Sequence, residues 1–577
     1  MSAQQQGEKT FNRPATNAEL ISTSEKFFSE RMANDGIVGL SVALIVEGKV
    51  IWQKGFGYAD RENKIPMTEH TVVNIGSITK TFTALSVLQL QEKGLINIDN
   101  PLVNYLPQFS PKSRPGITPN AITVKSVITH TSGIQSDIWK NSDLNSGKYT
   151  DVLGYVNNTY LTYPAGMVGL YSNAGYNILG HLVKQVSKED YSAYVHNHIF
   201  KPLNMTHSGF ATDTLKERAM LYAGGQLIAT HELRDIASGG IYTDMVDFSK
   251  YAIGLLNAYQ GKKQPGKFLT GRETIRKMFT LQNRDVPLES NKKGLGWFMF
   301  QNDSALALYH AGSAGFAQAK LLLFPEKNAA AIVMTNTAEG GRAAEEFCFN
   351  LLPRYGLSIP DLFPPPVTGP LHDSTNATKL SENELRSYTG NYAESNTYHT
   401  ITIKNGYLEM QDEDGHFILR NTDKNEFIPY RITNNDTVAL KNTLRLFFKD
   451  IQGYHFLFRR TKNREYNMGY RLKAVDTTTW SRRYGHYEQY GYQMLIGDSK
   501  FKSVDLRLSA DGVLMLTLKT LGSTNDIPLD VIDKHCALSC GINAGFGGFN
   551  VKFYEDEQYL VVDFAGITFR KLRGQKQ

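Results

Sequence analysis

The run Pro364-Pro365-Pro366, inside a stretch from Pro360 to Pro370, constrains this chain more than any other feature. Consecutive prolines fix their own backbone angle and supply no N–H, so the stretch reads as a stiff, extended linker and not as part of a helix or a central strand. It separates two texts of different character. Before it, helical periodicity dominates between two groups of strands. After it, short segments rich in Tyr, Phe, Val and Ile alternate with Gly, Asn and Asp turns, as in small β-barrels. We therefore expect a first domain at 1–358, a linker at 359–378 and two all-β barrels at 379–474 and 475–577. A chain of 577 residues has room for two or three cores at roughly 100 to 200 residues each.

Within the first domain, Leu20, Ile21, Phe27, Phe28 and Met32 fall near helical spacing after Thr16 or Asn17 as cap, which predicts an opening helix over 14–33. VGLSVALIVEGKVIWQKGFGYAD then has two Val/Ile-rich segments split by Glu47-Gly48, the pattern of a β-hairpin. The middle reads mainly as helix. Near the end LALYHAGSAGF, AKLLLFPEK and NAAAIVMTNT predict three more strands, the last two joined by a turn at Pro325 to Asn328, before a final helix at about 339–355. Strands at both ends of the segment suggest one antiparallel sheet flanked by helices, an α/β (α+β) architecture.

The tail repeats itself. SYTGNY at 387–392 answers RRYGHY at 482–487, and HFLFRR ending at Arg460 answers GITFRK ending at Lys571. The second unit, Tyr484 to Lys571, exceeds the first, Tyr388 to Arg460, by 15 residues. The Gly-rich sequence His535 to Phe549 lacks strand periodicity and is expected to be the surplus, a loop protruding from the second barrel.

Composition excludes several classes. With 41% apolar, 20% charged and 11% aromatic residues the chain is an ordinary folding sequence, and a net charge of +6 is too small at this length to imply a nucleic-acid partner. Three cysteines make no disulfide framework, although Cys536 and Cys540 could pair once. No apolar run approaches the ~20 residues of a membrane-spanning helix. The N-terminus has neither a basic start nor an apolar core, so as given it is no signal peptide, and the protein is expected to be cytoplasmic unless a leader has been removed, in which case it is periplasmic or secreted.

The chemistry concentrates in three places. In VVNIGSITKTFTALSVLQLQEKG, Ser77 stands at the head of a helix with Lys80 three residues on, on the same face. A serine hydroxyl becomes a nucleophile when a base takes its proton, and a desolvated lysine can serve. S-x-x-K alone is weak evidence: Ser290/Lys293 and Ser499/Lys502 also match, and a simple N-cap is the plain alternative for Ser77. Only the first pair combines a Gly-preceded serine with a long amphipathic helix.

Tyr171-Ser172-Asn173 comes just before a second helical pattern, where a phenol can relay the serine proton and a carboxamide can hold Lys80 or a substrate amide. Tyr155-Val156-Asn157 lacks that context. His310-Ala311-Gly312-Ser313 ends a predicted strand. A glycine on an edge strand lets substrate backbone approach, and the N–H groups of Ser77 and Ser313 would form an oxyanion hole. His207-Ser208-Gly209 is the corresponding decoy.

NIGSITKTFTAL, LYSNAGYNILG and YHAGSAGF together resemble the S-x-x-K, Y-x-N and H/K-x-G motifs of the serine β-lactamase and penicillin-binding protein superfamily, in its class C-like branch, peptidase family S12. VKSVITHTSGI at 124–134 and IFKPLNMTHSGF at 199–210 add to the resemblance, which covers about residues 15–355. It implies a β-lactamase/transpeptidase-like domain with Ser77 as acylated nucleophile, Lys80 and Tyr171 as the proton-handling pair, and Asn173, His310, Gly312 and Ser313 facing substrate or oxyanion. No metal or organic cofactor is implied. His310 stands where β-lactamases and carboxypeptidases of the superfamily usually carry Lys, which makes hydrolysis of β-lactams or C-terminal D-Ala a poor expectation. Esterases and D-amino-acid-specific aminopeptidases and amidases commonly show His there. The layout with two trailing, lipocalin-like barrels is similar to that of bacterial D-aminopeptidases, in which a loop of the last barrel enters the cleft. The implied ligand is a small molecule or short peptide. His130, in THTSG, is expected to be a structural turn residue. His535, Cys536 and Cys540 are too few ligands for zinc, and Cys348 is expected to be a packing residue.

Overall fold

The structure, a computed structural model, describes residues 16–145, 147–230, 232–262, 270–289, 291–360, 380–423, 425–433, 437–439, 444–461, 465–491, 501–541, 546–556 and 558–572. Of the expected linker only residues 359 and 360 fall inside this set. The chain divides into two compact units. One is Met1–Leu95 with Ser187–Leu281 and Lys292–Leu362; the other is Ile96–Val186 with Gln282–Asn291 and Phe363–Gln577.

The first unit is built on a seven-stranded antiparallel sheet in the order Ile65–Pro66, Lys49–Asp60, Gly39–Val46, Ala329–Thr335, Ala317–Phe324, Leu306–Ala314 and Phe298–Gln301. Its first hairpin turns at Glu47 (φ 53°) and Gly48 (φ 75°), the two positive angles that a tight two-residue turn between twisted strands requires. One sheet face packs Leu40, Val42, Leu44, Ala331 and Val333 against Leu20 and Phe28 of the opening helix and Phe347 near the end of the unit. That opening helix is Asn17–Asp35, started by a capping box between Thr16 and Glu19. Helix Met245–Gln260 packs on Gly39–Val46 and Ala329–Thr335. Helix Thr79–Glu92 is buried on every side from Thr79 to Leu90, with Phe82 stacked 3.7 Å from the ring of Tyr251. Edge strand Phe298–Gln301 and the short ribbon of Val73–Asn74 with Tyr242–Thr243 were not legible as strands in the sequence.

The second unit joins helices Asp151–Asn157 and Asn173–Ser187 to two barrels. In the first barrel eight strands close through the pairing of Gly415–Asp423 with Glu426–Ile432, and Thr437–Ala439 adds a ninth at Glu426–Ile432. The second is a closed eight-stranded ring from Gly485–Tyr490 to Ile567–Leu572. The repeat has a physical counterpart: the Tyr392 hydroxyl donates to the Tyr388 carbonyl, and the Tyr487 hydroxyl to the Arg483 carbonyl, four residues back in each case.

The expected loop at 535–549 needs correction. Cys536–Ser539 is a barrel strand, paired with Thr524–Asp533 on one side and Asn550–Glu555 on the other. After Ser539, only 540–541 and 546–549 of the expected loop are described residues outside a strand, and residues 542–545 lie outside the described set. Its described ends are anchored within the same unit: Tyr163 donates to the Gly541 carbonyl at 3.1 Å, and Gly548 lies against Leu170 and Thr162. Trp139 packs on Phe501, Phe549 and Phe564 of the second barrel, with ring centroids 5.0 to 5.9 Å apart. Cys348, Cys536 and Cys540 are free, buried thiols, so the bridge that the sequence left open is not formed. Among the described residues no helix is long and apolar enough to cross a membrane.

Candidate active site

Ser77 lies in a single 3-10 turn, Gly76–Ile78, that feeds directly into helix Thr79–Glu92. Neither helix start is closed by a side-chain cap, so Ser77 is not serving as an N-cap. Asn74 shapes the turn by accepting the Gly76 N–H at 2.7 Å, and Ile75 donates to the Ile241 carbonyl. Lys80, on the buried helix, brings its Nζ to 3.0 Å from the Ser77 Oγ and donates at 2.7 Å to the Ser238 carbonyl. The lysine side chain is fully buried. It is therefore fixed by a main-chain acceptor from the short helix Ile236–Gly239, which Thr83 also holds through the Ala237 carbonyl. That helix was missed in the sequence, because its IASG carries no periodic signal.

The strand Leu306–Ala314 delivers His310, Gly312 and Ser313 to the same place. Ala314 and Ala317 flank a two-residue hairpin loop, so they form a hydrogen-bonded pair and Ser313 with Gln318 the next, non-bonded one. The Ser313 N–H and C=O consequently point away from Ala317–Phe324, and Phe298–Gln301 ends its pairing at Tyr309 and leaves that edge open. Two glycines let the edge meet the serine turn. A Cβ at Gly76, whose φ is 52°, would lie 2.5 Å from the Ser313 nitrogen, and one at Gly312 would overlap the Ile75 carbonyl. A Cβ there would also stand 3.2 Å from the Ser77 nitrogen. The main chains of Gly76-Ser77 and Gly312-Ser313 are thus in contact.

His310 is buried and donates from Nδ1 to the Ala311 carbonyl at 2.7 Å. A carbonyl only accepts, so the ring proton sits on Nδ1 and Nε2 keeps its lone pair. Burial, reinforced by the charge of Lys80, holds the imidazole far below its ordinary range, at about 3. The ring is neutral at any physiological pH, and the position carries no cation.

Tyr171 and Asn173 belong to the second unit. Ser172 caps helix Asn173–Ser187 by accepting the Gly175 N–H at 2.9 Å, and its own hydroxyl donates to the Gln135 carbonyl. Asn173 donates from Nδ2 to Asp137 at 2.8 Å. Tyr171 is braced by His130, whose ring stacks on it at 4.2 Å and whose Nδ1 accepts the Ser172 N–H. His130 is buried with φ 60°, a turn conformation as expected, yet one that supports the tyrosine directly. Asp137 was not legible as a partner: one aspartate in a loop gives no periodic or spacing signal. The decoys separate cleanly. Asn157 is tied to Ser110 and Gln108, and His207 sits beside Asp244.

A serine turn at the head of a buried helix, a lysine one turn on and an open sheet edge beside them have the arrangement of a serine acyl-transfer site. The Beta-lactamase family matches residues 25–347, more than half of the chain, and the chain belongs to that family. It is 29% identical over 309 residues to Protein flp of Staphylococcus aureus (strain NCTC 8325 / PS 47), a match covering 52% of this chain. The chain thereby spans 60% of that relative's length. Its fold is similar to that of the octameric penicillin-binding protein homologue from Pyrococcus abyssi (TM-score 0.51, 22% identity, 78% of this chain and 99% of the other). It is also similar to SurE, solved with D-Leu (TM-score 0.56, 19% identity, 78% and 100% covered).

Proposed function

We propose that the protein is a serine hydrolase that cleaves small amides or esters, D-amino-acid peptides and amides first among them, through an acyl-enzyme on Ser77. The observation that carries this reading is the buried Lys80 Nζ held 3.0 Å from the Ser77 Oγ by the Ser238 carbonyl. A purely binding pocket has no use for an amine fixed against a hydroxyl. Ser77 attacks the substrate carbonyl while Lys80 and Tyr171 take its proton. The resulting oxyanion is met by the N–H groups of Ser77 and Ser313. Protonation through the same pair expels amine or alcohol, and water then hydrolyses the ester. Asn173 positions the substrate amide.

The neutral His310 favours substrates without a free carboxylate at that subsite, hence esters, amides and N-terminal D-residues over β-lactams and C-terminal D-Ala. The SurE structure solved with D-Leu accords with the D-amino-acid preference. The loop after Ser539 is proposed to restrict substrate length. Deleting 541–547, which spares the strand before it, should broaden acceptance toward longer peptides.

The test is a panel of D- and L-aminoacyl anilides, p-nitrophenyl esters and a fluorescent cephalosporin, with Ser77→Ala as control. Steady product release with D-aminoacyl substrates, abolished in Ser77→Ala, is expected. A stoichiometric burst without turnover on every substrate would instead mark a β-lactam sensor and sink the hydrolase reading.

A further inference from the structure

Outside the serine site, His70, His207 and Asp244 in the first unit bring one ligand atom each within 4.8 Å of one another. The three residues come from separate segments: the turn before Val73–Asn74, the loop after the segment His196–Phe200, and the residue capping helix Met245–Gln260. Both imidazoles aim the same nitrogen at the same oxygen. His207 Nδ1 lies 2.9 Å and His70 Nδ1 3.5 Å from Asp244 Oδ2. The other carboxylate oxygen is engaged, since Oδ1 accepts the Asp247 N–H at 2.7 Å.

The geometry points to a structural binding site for a divalent transition-metal ion of the zinc type, held by His70 Nδ1, His207 Nδ1 and Asp244 Oδ2. Ligand atoms around a tetrahedral zinc at about 2.0 to 2.2 Å are separated by roughly 3.3 Å, and the two nitrogen–oxygen separations bracket that spacing. Two imidazoles with one carboxylate are a donor set that suits such an ion. The two rings are half-exposed while the carboxylate is fully buried, so one side of the site is open to solvent and a water can complete the coordination. On binding, each neutral imidazole carries its proton on Nε2 and gives the Nδ1 lone pair to the metal.

The ligands are already fixed in place. The Glu69 carbonyl, next to His70, accepts the Met245 N–H, and the His207 N–H donates to Asp247 at 2.6 Å. All three segments are therefore tied to the first turn of one helix before any ion arrives, which keeps the ordering cost of binding low. The neighbouring ribbon gives the site a consequence. Val73–Asn74, three residues beyond His70, pairs with Tyr242–Thr243, which runs straight into Asp244. The first strand leads to Ser77 and the second comes after the helix whose Ser238 carbonyl holds Lys80. A metal here clamps the ribbon behind the serine turn while taking no part in the chemistry, and the site does not depend on the substrate proposed above.

The experiment uses the full chain stripped with EDTA. It is titrated with ZnCl2 by calorimetry and with Co2+ by visible absorption, and its thermal unfolding is followed with and without zinc. One equivalent of zinc should bind, cobalt should give the ligand-field bands of a protein-bound ion, and Tm should rise with zinc. In the His70→Ala/His207→Ala double variant this equivalent should bind at least tenfold more weakly and the zinc-dependent rise in Tm should vanish. The single variants His70→Gln and His207→Gln, changed at half-exposed positions, should each weaken binding. No zinc binding by the stripped protein, or unchanged affinity in the double variant, would overturn the assignment.

Discussion

The imidazole of His130 lies stacked on the phenol of Tyr171, 4.2 Å between ring centroids and 30° between planes. The same imidazole accepts the next backbone N–H, that of Ser172, so one side chain sets both the ring and the main chain of the tyrosine. His130→Ala removes both supports and leaves a buried N–H without its acceptor, at about 1 to 3 kcal/mol. We expect kcat to fall at least tenfold with KM little changed. His130→Asn, which tolerates the positive φ and retains an acceptor, should restore part of kcat. Steady-state kinetics with calorimetric Tm values separate the two effects; equal kcat in the wild type and His130→Ala would contradict the bracing role.

Gly312→Ala tests the contact between the sheet edge and the serine turn. The added methyl overlaps the Ile75 carbonyl, so strand and turn must separate, and on the proposed mechanism the Ser313 N–H is withdrawn from the oxyanion. Loss of one such donor costs about 100-fold or more in rate. Stopped-flow acylation by a p-nitrophenyl ester should slow by that order, while Tm changes modestly. Gly522→Ala, in the turn between Leu514–Thr520 and Thr524–Asp533, where φ is ordinary and nothing stands within 4 Å of the new carbon, is the control for methyl insertion.

His310 links stability to pH. Burial depresses its folded-state value from 6.5 to about 3, so between those limits the unfolded chain binds the proton that the folded chain refuses. Its contribution is complete above 6.5 and drains away as pH falls toward 3, by up to about 1.4 kcal/mol for each pH unit. His310→Gln does not titrate. Its unfolding temperature, measured from pH 7 down to about pH 4, should fall less steeply than that of the wild type, and parallel curves would refute the assignment.

Arg114 and Asp530 give the opposite sign. Asp530 is buried in the second barrel, and burial raises its carboxyl value, against the opposing pull of Arg114 at 3.9 Å. An acid with a raised folded value holds its proton more tightly when folded, so its contribution is largest in acid and is lost as pH climbs through that value. Arg114 also donates to the Tyr454 hydroxyl of the first barrel and to the Thr162 carbonyl. Arg114→Met should therefore destabilise the second unit by about 3 to 5 kcal/mol at neutral pH. Acidification, or the added change Asp530→Asn, should recover part of the loss; a double variant no more stable than Arg114→Met would contradict the pairing.

The parts of the fold written in local periodicity were legible. The opening helix begins at its Thr16 capping box, and the first hairpin turns at Glu47-Gly48 because a two-residue loop needs both angles positive. The serine and lysine were legible for the same reason, since helix geometry alone sets a three-residue spacing on one face. What escaped was whatever depends on distant partners. The Ser238 carbonyl that fixes Lys80 comes from 158 residues away and from a four-residue helix. Cys536–Ser539 read as loop because a strand of four residues, buried at every position, has no alternation to betray it. The His130 brace was visible only as a turn, because stacking on Tyr171 joins residues 41 apart in a sequence that records no distances.

Gly76 and Gly312 bring two lengths of main chain into touch at the serine, so the amide groups presented there owe nothing to side-chain identity. Mutation can repaint every neighbouring surface without erasing them. A lineage that keeps two hydrogen atoms in place of two methyls inherits this meeting of main chains, and is free to change the side chains around it one at a time.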